Sequence, residues 1–345
     1  VTDSDSIKSL CILGGGGYLG SHLIKGLLEE TEYKVRAVDR TFEKLTIASP
    51  RLERVQASIQ DPGLLDSVTA ASEVVISTTA LCTPALYNKR PVEVIEANFL
   101  DLVPLVSLCT RRDRWLIHFS TSEVYGTITE EMNEDESPLV LGPVQKERWT
   151  YAAAKQLLER LIWAHGQHRG LAFSIVRPFN VIGPRMDYIE GIDGQGTPRV
   201  LACFMRSLLY SEPLQLVDGG RSRRTFVSVG DFVDAVVRIV KRPERCRGEI
   251  INIGNPDNDV SIKELAEKMA AIYRSNYAAG ESFSFQNIGG EVFYGPGYDD
   301  SPQRIPDISK ARRLLDWNPG ESLDDMLPDI IQDYVDHYSG NVERK

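Results

Sequence analysis

Leu10-Cys11-Ile12-Leu13-Gly14-Gly15-Gly16-Gly17-Tyr18-Leu19-Gly20 is the stretch that decides the fold. Four apolar residues run into glycines, and Gly14, Gly17 and Gly20 give the spacing G-x-x-G-x-x-G. Taken alone, such a run could be an ordinary turn. Glycine also permits a tight turn and lets the backbone approach a pyrophosphate, which then rests on the N-terminus of the next helix. Context favours the second reading: the run ends an apolar strand, Ser9–Leu13, and opens an amphipathic pattern over Tyr18–Glu30.

Working outward, Asp39 closes the next apolar run, nineteen residues beyond Gly20. An acid there accepts the hydroxyls of an adenosine ribose and repels a 2′-phosphate, which favours NAD over NADP. Arg40 follows and could instead bind such a phosphate. Further strands are expected at Lys34–Val38, Glu53–Ala57, Glu73–Thr78, Trp115–Ser120 and Ala172–Val176. Helical patterns lie between them, at Pro62–Ala71, Val92–Arg112 and Tyr151–Gly170. This alternation predicts an α/β fold, a Rossmann-type doubly wound parallel sheet with a smaller C-terminal substrate-binding lobe. Beyond Pro178 the pattern loosens. Helices are expected at Pro198–Tyr210, Val229–Lys241, Ile262–Arg274 and Ser322–Tyr338, with one more buried strand at Glu249–Ile253. Ala278–Pro306, rich in Gly, acids and aromatics, reads as a long substrate-facing loop. The expected division is a dinucleotide-binding domain over 1–178, with 225–258 returning to it. Residues 179–224 and 259–345 would form the lobe.

The chain has 345 residues, enough for two domains at roughly 150 each. A hydrophobic fraction of 42% excludes a disordered chain. No apolar run is long enough to span a membrane. Val1–Ser6 lacks the basic start and apolar stretch of a signal peptide. A formal charge of −10 with no Lys/Arg block argues against nucleic acid as a partner. Five widely spaced cysteines, without C-x-x-C, argue against a disulfide framework or a zinc site, and no metal is expected. A reducing compartment, the cytoplasm, follows as the expected location.

Tyr151 and Lys155 stand at i and i+4 on one helical face. A phenol ionises near pH 10. A neighbouring cation, together with a positive nicotinamide ring, would lower that value and let it accept an alcohol proton. The competing reading is a surface Tyr beside a salt-bridging Lys; it weakens after a dinucleotide fingerprint. Ser120-Thr121-Ser122-Glu123-Val124-Tyr125-Gly126 ends a strand, where ligands collect in such sheets. Its hydroxyls could bond a substrate alcohol. Glu123 could be a functional acid or a solvated loop carboxylate, and position alone does not choose.

Taken together, Gly14–Gly20, Asp39, Thr121 and the Tyr151/Lys155 pair resemble the extended short-chain dehydrogenase/reductases. Arg177-Pro178-Phe179-Asn180 with Val181-Ile182-Gly183-Pro184-Arg185 resembles their nucleotide-sugar arm. Within it, nearly the whole chain is similar to the UDP-glucuronic acid decarboxylases, and among them to the plant synthases of UDP-apiose and UDP-xylose. The stretches Cys82–Asn88, Gln145–Tyr151, Gly183–Asp187, Pro198–Phe204, Phe293–Asp300 and Arg304–Asp307 carry that likeness.

The resemblance implies roles. Tyr18, Leu19, Ser58, Ile59 and Thr79 would join the glycines and Asp39 at the cofactor, NAD. Glu123 would be the acid/base near sugar C5, with Arg304 facing the substrate carboxylate. Tyr87, Thr121, Ser122, Asn180 and Arg199 would contact sugar and phosphates. The segment Gln215–Arg224, with Asp218, would hold uridine and diphosphate, Arg224 on phosphate; Tyr298 and Asp300 would lie over the nucleotide. Without the resemblance, Arg221–Arg224 reads rather as a solvated basic turn. The implied activity is oxidative decarboxylation of UDP-glucuronic acid through a 4-ketone. The product would be UDP-xylose or UDP-4-keto-pentose. A C4-epimerase, a dehydratase and a degraded, redox-sensing binding protein are the alternatives. The helices Val92–Arg112 and Tyr151–Gly170 resemble those that pair two subunits, so a homodimer is expected. Two departures stand out. Ser58 replaces an acid usual on the adenine side. Ser122 replaces a second cysteine that the plant synthases carry beside their acid/base glutamate, while Cys82 keeps the first. A hydroxyl transfers protons less readily than a thiol, so UDP-apiose is expected to be minor or absent.

Overall fold

Strands buried on both faces read as continuous apolar runs, and such strands belong inside a parallel sheet covered by helices. The computed structural model describes residues 8–194 and 197–341, so Val1–Ser6 lies outside the described residues. Seven parallel strands lie in the order Glu249–Ile253, Phe173–Pro178, Trp115–Phe119, Val74–Ser77, Ser9–Leu13, Lys34–Asp39 and Leu52–Gln56. Strand order reverses at Ser9–Leu13, where Leu13 pairs with Val38 on one side and Ser77 on the other. The crevice beyond these strand ends is where ligands bind in doubly wound sheets.

One face of the sheet packs Leu23, Ile24 and Leu27 with Phe232, Val236 and Ile239. The other packs Leu105, Val106, Leu158 and Ile162. A separate core, with Leu201, Phe204, Met205, Leu265, Met269, Leu327 and Ile331, forms the second lobe. The helix Ser309–Leu315 departs from the expected division. Ile308, Ala311, Leu314 and Leu315, spaced to share a helical face, pack with Trp317 on the sheet and not in the lobe.

Two further expectations need correction. Val92–Arg112 is not one helix: Pro91–Asn98 stops, Leu100–Leu102 forms a tight 3₁₀ turn, and Val103–Arg111 follows. Pro104 explains the break, since its ring would collide with the carbonyl of Leu100 in a continuous helix. The segment 278–306 is not structureless either. Phe285–Ile288 pairs in parallel with Leu214–Val217, supplying the backbone partners that this short strand lacks in the main sheet, and Gly290–Tyr294 is helical. Among the described residues no helix is long and apolar enough to cross a membrane.

Candidate active site

The glycine loop leaves the central strand through Gly14 at φ +85°, a conformation that side chains rarely adopt. A Cβ on Gly20 would collide with the carbonyl of Gly14, so the helix can start this close to the loop only with glycine there. Tyr18–Glu30 begins at Gly17 with no side-chain cap and no acid in its first turn. Its free N–H groups and positive dipole end are therefore available to an anion. Asp39 closes the loop: one oxygen accepts the Gly16 N–H at 2.9 Å and the other the Arg40 N–H at 2.7 Å. Thr79 leaves a buried hydroxyl with no partner, and its backbone N–H lies beside the space a Cβ on Gly14 would fill. These features fit a dinucleotide. Ser58 and Ile59 lie past the end of Leu52–Gln56; the Ser58 N–H donates to Asp61 at 2.8 Å, and Ile59 packs on the sheet core. The acid missing at 58 is thus present three residues on, turned back onto its own loop.

From the loop a cavity of about 530 Å³ runs between sheet and lobe, lined by Tyr18, Leu19, Cys82, Tyr87, Thr121, Ser122, Glu123, Tyr151, Asn180, Arg199, Gln215, Asp218, Arg224, Tyr298, Asp300 and Arg304 among others. Residues up to 286 positions apart in sequence, Tyr18 and Arg304, meet there. Gly14, Gly17, Gly20, Asp39, Ser58, Ile59 and Thr79 sit at or beyond its cofactor end and do not line it.

Tyr151 is in the first turn of Thr150–Arg169, its ring stacked on Tyr87 at 5.0 Å, with the Thr121 side chain close to its hydroxyl. Lys155 lies one turn on, fully buried, and donates to the carbonyl of Phe119 at 3.0 Å. Burial lowers the Lys155 ammonium to about 8. The lowered phenol expected from the Tyr/Lys pair is not a property of the chain alone. Burial and the nearby Cys82 and Glu123 push Tyr151 well above its ordinary value. Desolvation of a phenolate exceeds what a lysine bonded elsewhere can offset.

Glu123 is no solvated carboxylate. It sits on the short 3₁₀ turn Ser122–Tyr125, capped by the Thr121 hydroxyl. Arg148 donates to one of its oxygens at 2.6 Å, and Arg304 stands 3.4 Å from the other. Burial alone would raise this carboxyl, but Arg148 and then Arg304 outweigh it and hold it below the usual carboxylate range. Asp300 is the second anion of the cluster, bonded by Arg224 at 2.5 Å, Arg304 at 3.1 Å and the Tyr298 hydroxyl at 3.1 Å, with Arg148 at 3.5 Å. Against its burial, Arg224, Arg304 and Arg148 hold Asp300 well below the ordinary range. Three guanidiniums against two carboxylates leave one positive charge to spare, and Arg304 Nε is buried without a partner. Such a cluster can receive a further anion.

On the lobe side, Arg223–Thr225 is a short strand whose alternation sends Arg223 outward to Asp259 and Arg224 inward to Asp300, so Arg224 is not part of a solvated turn. Arg199 is held by Asp187 through its backbone N–H and its guanidinium. Asn180 donates to the Thr225 carbonyl at 2.9 Å. Asp218 accepts from the Gly290 N–H and so ties down the helix Gly290–Tyr294; Tyr298 stacks on Tyr294 at 4.5 Å. Gln215 is exposed on the strand Leu214–Val217. Cys82 and Ser122 both line the cavity, and all five cysteines are free.

Arg148 is the residue that sequence reasoning missed. It lies within the run that leads to Tyr151, but only the fold shows it buried, bridging Glu123 and Asp300 with its guanidinium 5.2 Å over the Tyr87 ring. A basic residue three positions before the tyrosine was the available signal. Tyr294, stacked under Tyr298, was missed in the same way.

Comparison with known proteins places this site in context. Residues 10–254 match the model of the NAD dependent epimerase/dehydratase family. UDP-D-apiose/UDP-D-xylose synthase 1 of Arabidopsis thaliana is 45% identical over 351 residues, covering 94% of this chain and 90% of that protein. The UDP-D-apiose/UDP-D-xylose synthase of Oryza sativa subsp. japonica is 42% identical over 366 residues, covering 98% and 92%. Among solved structures, the PbgP3 protein of Burkholderia pseudomallei superposes with a TM-score of 0.84 at 31% identity, over 97% of this chain and 98% of that one. The UDP-glucuronic acid 4-epimerase of Bacillus cereus, solved with UDP-glucuronic acid and NAD, has the same fold, with a TM-score of 0.81 at 23% identity over 96% and 100%.

Proposed function

The chain belongs to the NAD dependent epimerase/dehydratase family, and from that premise we propose that it is an NAD-dependent UDP-glucuronic acid decarboxylase of the UDP-apiose/UDP-xylose synthase type. The observation that carries the substrate is the Glu123–Arg304 pair, a guanidinium with spare capacity beside an acid in the cavity that holds Tyr151. A sugar carboxylate is the group that such a guanidinium pairs with.

Gly14, Gly17, Gly20, the first turn after Tyr18 and Asp39 would hold NAD. When bound, it supplies a nicotinamide ring that takes two electrons from the sugar and returns them. Tyr151 would receive the C4 hydroxyl proton as a phenolate, a form that the positive charge of a bound nicotinamide and the Lys155 ammonium would favour against its burial, with Thr121 beside the phenol. The resulting C4 ketone is β to the sugar carboxylate, so CO₂ can leave into an enolate. Arg304 holds the carboxylate beforehand. In doing so it withdraws part of its charge from Glu123, which moves toward the ordinary carboxyl range and becomes able to carry the C5 proton. Arg199 and Arg224 provide fixed forks for the diphosphate, and Tyr298 covers the nucleotide. Ser122 in place of a thiol favours UDP-xylose or its 4-keto precursor over UDP-apiose.

The division of labour follows the two cores: the sheet binds the cofactor and the lobe binds the nucleotide sugar. A homodimer fits the helices Pro91–Asn98 and Thr150–Arg169, which leave Val92, Ile95, Leu157 and Trp163 exposed. Free cysteines throughout fit the cytoplasm.

The test is turnover of UDP-glucuronic acid with CO₂ trapping and NMR of the products, beside Arg304→Ala. CO₂ and a UDP-pentose from the unaltered chain, with Arg304→Ala losing CO₂ release by far more than UDP affinity, is the expected outcome. UDP-galacturonic acid without CO₂ would make the chain an epimerase.

A further inference from the structure

Tyr151, Glu123 and Arg304 come from three separate elements, which meet in the cavity through the pairs that Glu123 makes with Arg148 and Arg304. A buried chain of polar groups behind the cavity joins all three. Glu159 stands on the face of the helix that already carries Tyr151 and Lys155, at i+8 and i+4 respectively. Its carboxylate accepts a two-pronged pair of bonds from Arg177, at 3.0 and 2.7 Å, with both side chains under 5% exposed. The third arm of Arg177 donates to the Tyr125 hydroxyl at 2.8 Å, and the guanidinium lies 4.7 Å over the Tyr125 ring. Tyr125 ends the turn that bears Glu123, and its hydroxyl donates to Asn252 Oδ1 at 2.9 Å. Asn252 Nδ2 donates to the carbonyls of Met132 and Asp307. Met132 in turn accepts from Asp307 N–H and donates to Ile305, on either side of the backbone that follows Arg304.

We infer that Glu159, Arg177, Tyr125 and Asn252 are positioning residues: a buried strut that sets the distance between the Tyr151 helix, the Glu123 turn and the Arg304 segment. This rests on the reading of Tyr151 and Glu123 as acting in successive steps on one sugar. A buried ion pair contributes little net stability over a well-packed apolar replacement. What it adds is a fixed geometry: a planar fork on a carboxylate permits one orientation, and every member of this chain is satisfied. The strut is also asymmetric. Glu159 and Arg177 hold the helix without Tyr125; the Tyr125 hydroxyl is the side-chain link from that pair to the Glu123 turn and to Asn252, beside a direct bond from Gln156 of the helix to the Val124 carbonyl at 2.7 Å.

Tyr125→Phe tests this, because it deletes one hydroxyl and leaves the ring and its packing. Loaded with NAD and given UDP-glucuronic acid, the variant should raise the 340 nm absorbance of NADH at close to the unaltered rate. Release of UDP-pentose should slow about 10- to 100-fold, the scale expected when a reacting group is displaced by about an ångström. Arg177→Lys, which keeps the charge and loses the fork, should slow both steps. A purely structural hydroxyl would leave both steps unchanged or reduce both with the folded fraction, and either result overturns the inference. Should the unaltered chain form no NADH from UDP-glucuronic acid, the functional reading fails separately. The strut is then judged by hydrogen exchange of the NAD-free protein. Faster exchange in Tyr125→Phe at residues 122–126 and 304–307, with 150–169 unchanged, supports it; uniform exchange overturns it.

Discussion

Replacing Arg148 with methionine keeps most of the side-chain volume and removes the closest cation from Glu123. In the unaltered chain that cation lies 2.6 Å from the carboxylate, with the two side chains 6% and 12% exposed. Burial raises the Glu123 carboxyl, and Arg148 is the largest influence opposing it, ahead of Arg304. The folded carboxyl therefore lies below its unfolded value of about 4.3. Its contribution to stability is present above that pH and is lost as pH falls through the folded value. Without Arg148 burial is opposed mainly by Arg304 at 3.4 Å. The carboxyl then rises, and an under-compensated charge costs stability at neutral pH, a cost relieved by protonation as pH falls. Breaking a buried pair costs about 3–5 kcal/mol, and the lower end applies because Arg304 remains. For a chain of this length about 3 kcal/mol corresponds to roughly 4 °C in Tm. Thermal melts of the unaltered protein, Arg148→Met and Glu123→Gln/Arg148→Met across pH 5 to 8 give the answer. The deficit of the single variant should be largest at pH 7–8, shrink toward pH 5, and be mostly recovered in the double variant. A deficit independent of pH and unchanged by Glu123→Gln would refute the electrostatic account and assign the loss to packing against Tyr87 and Trp149.

Three other outcomes are expected. Tyr151→Phe should abolish turnover while NAD still binds, measured by fluorescence titration, since the phenol contributes a proton site and not the cofactor cradle. Asp39→Asn should weaken NAD binding and relax rejection of NADP; equal affinity for both cofactors in the unaltered chain would show that Asp39 does not select. Ser122→Cys should raise the UDP-apiose share of the product mixture seen by NMR, because a thiol at this buried position transfers protons more readily than a hydroxyl; an unchanged share would place the branch elsewhere.

The glycine loop, Asp39 and the Tyr151/Lys155 pair were legible in sequence because each rests on a local rule. A positive-φ residue after a strand calls for glycine, an i, i+4 spacing shares a helix face, and a strand end carries its acid to the crevice. The parallel sheet was legible for the same reason, in the alternation of apolar runs with amphipathic ones. Pro104 marks the break within Val92–Arg112 by an equally local rule. Family likeness singled out Glu123 and Arg224, which their own surroundings in the sequence left as loop acid and basic turn, and Arg304, which no local pattern marks. Only the tertiary structure decided the state of the reaction centre. Glu123 meets Arg148 across 25 residues and Arg304 across 181, and Asp300 meets Arg148 across 152. No periodicity marks such pairs, because a guanidinium reads the same whether it faces water or a buried carboxylate. The direction of the Tyr151 phenol was hidden for a related reason. Desolvation depends on everything packed around a group, and here it outweighs the single neighbour that the sequence places beside it.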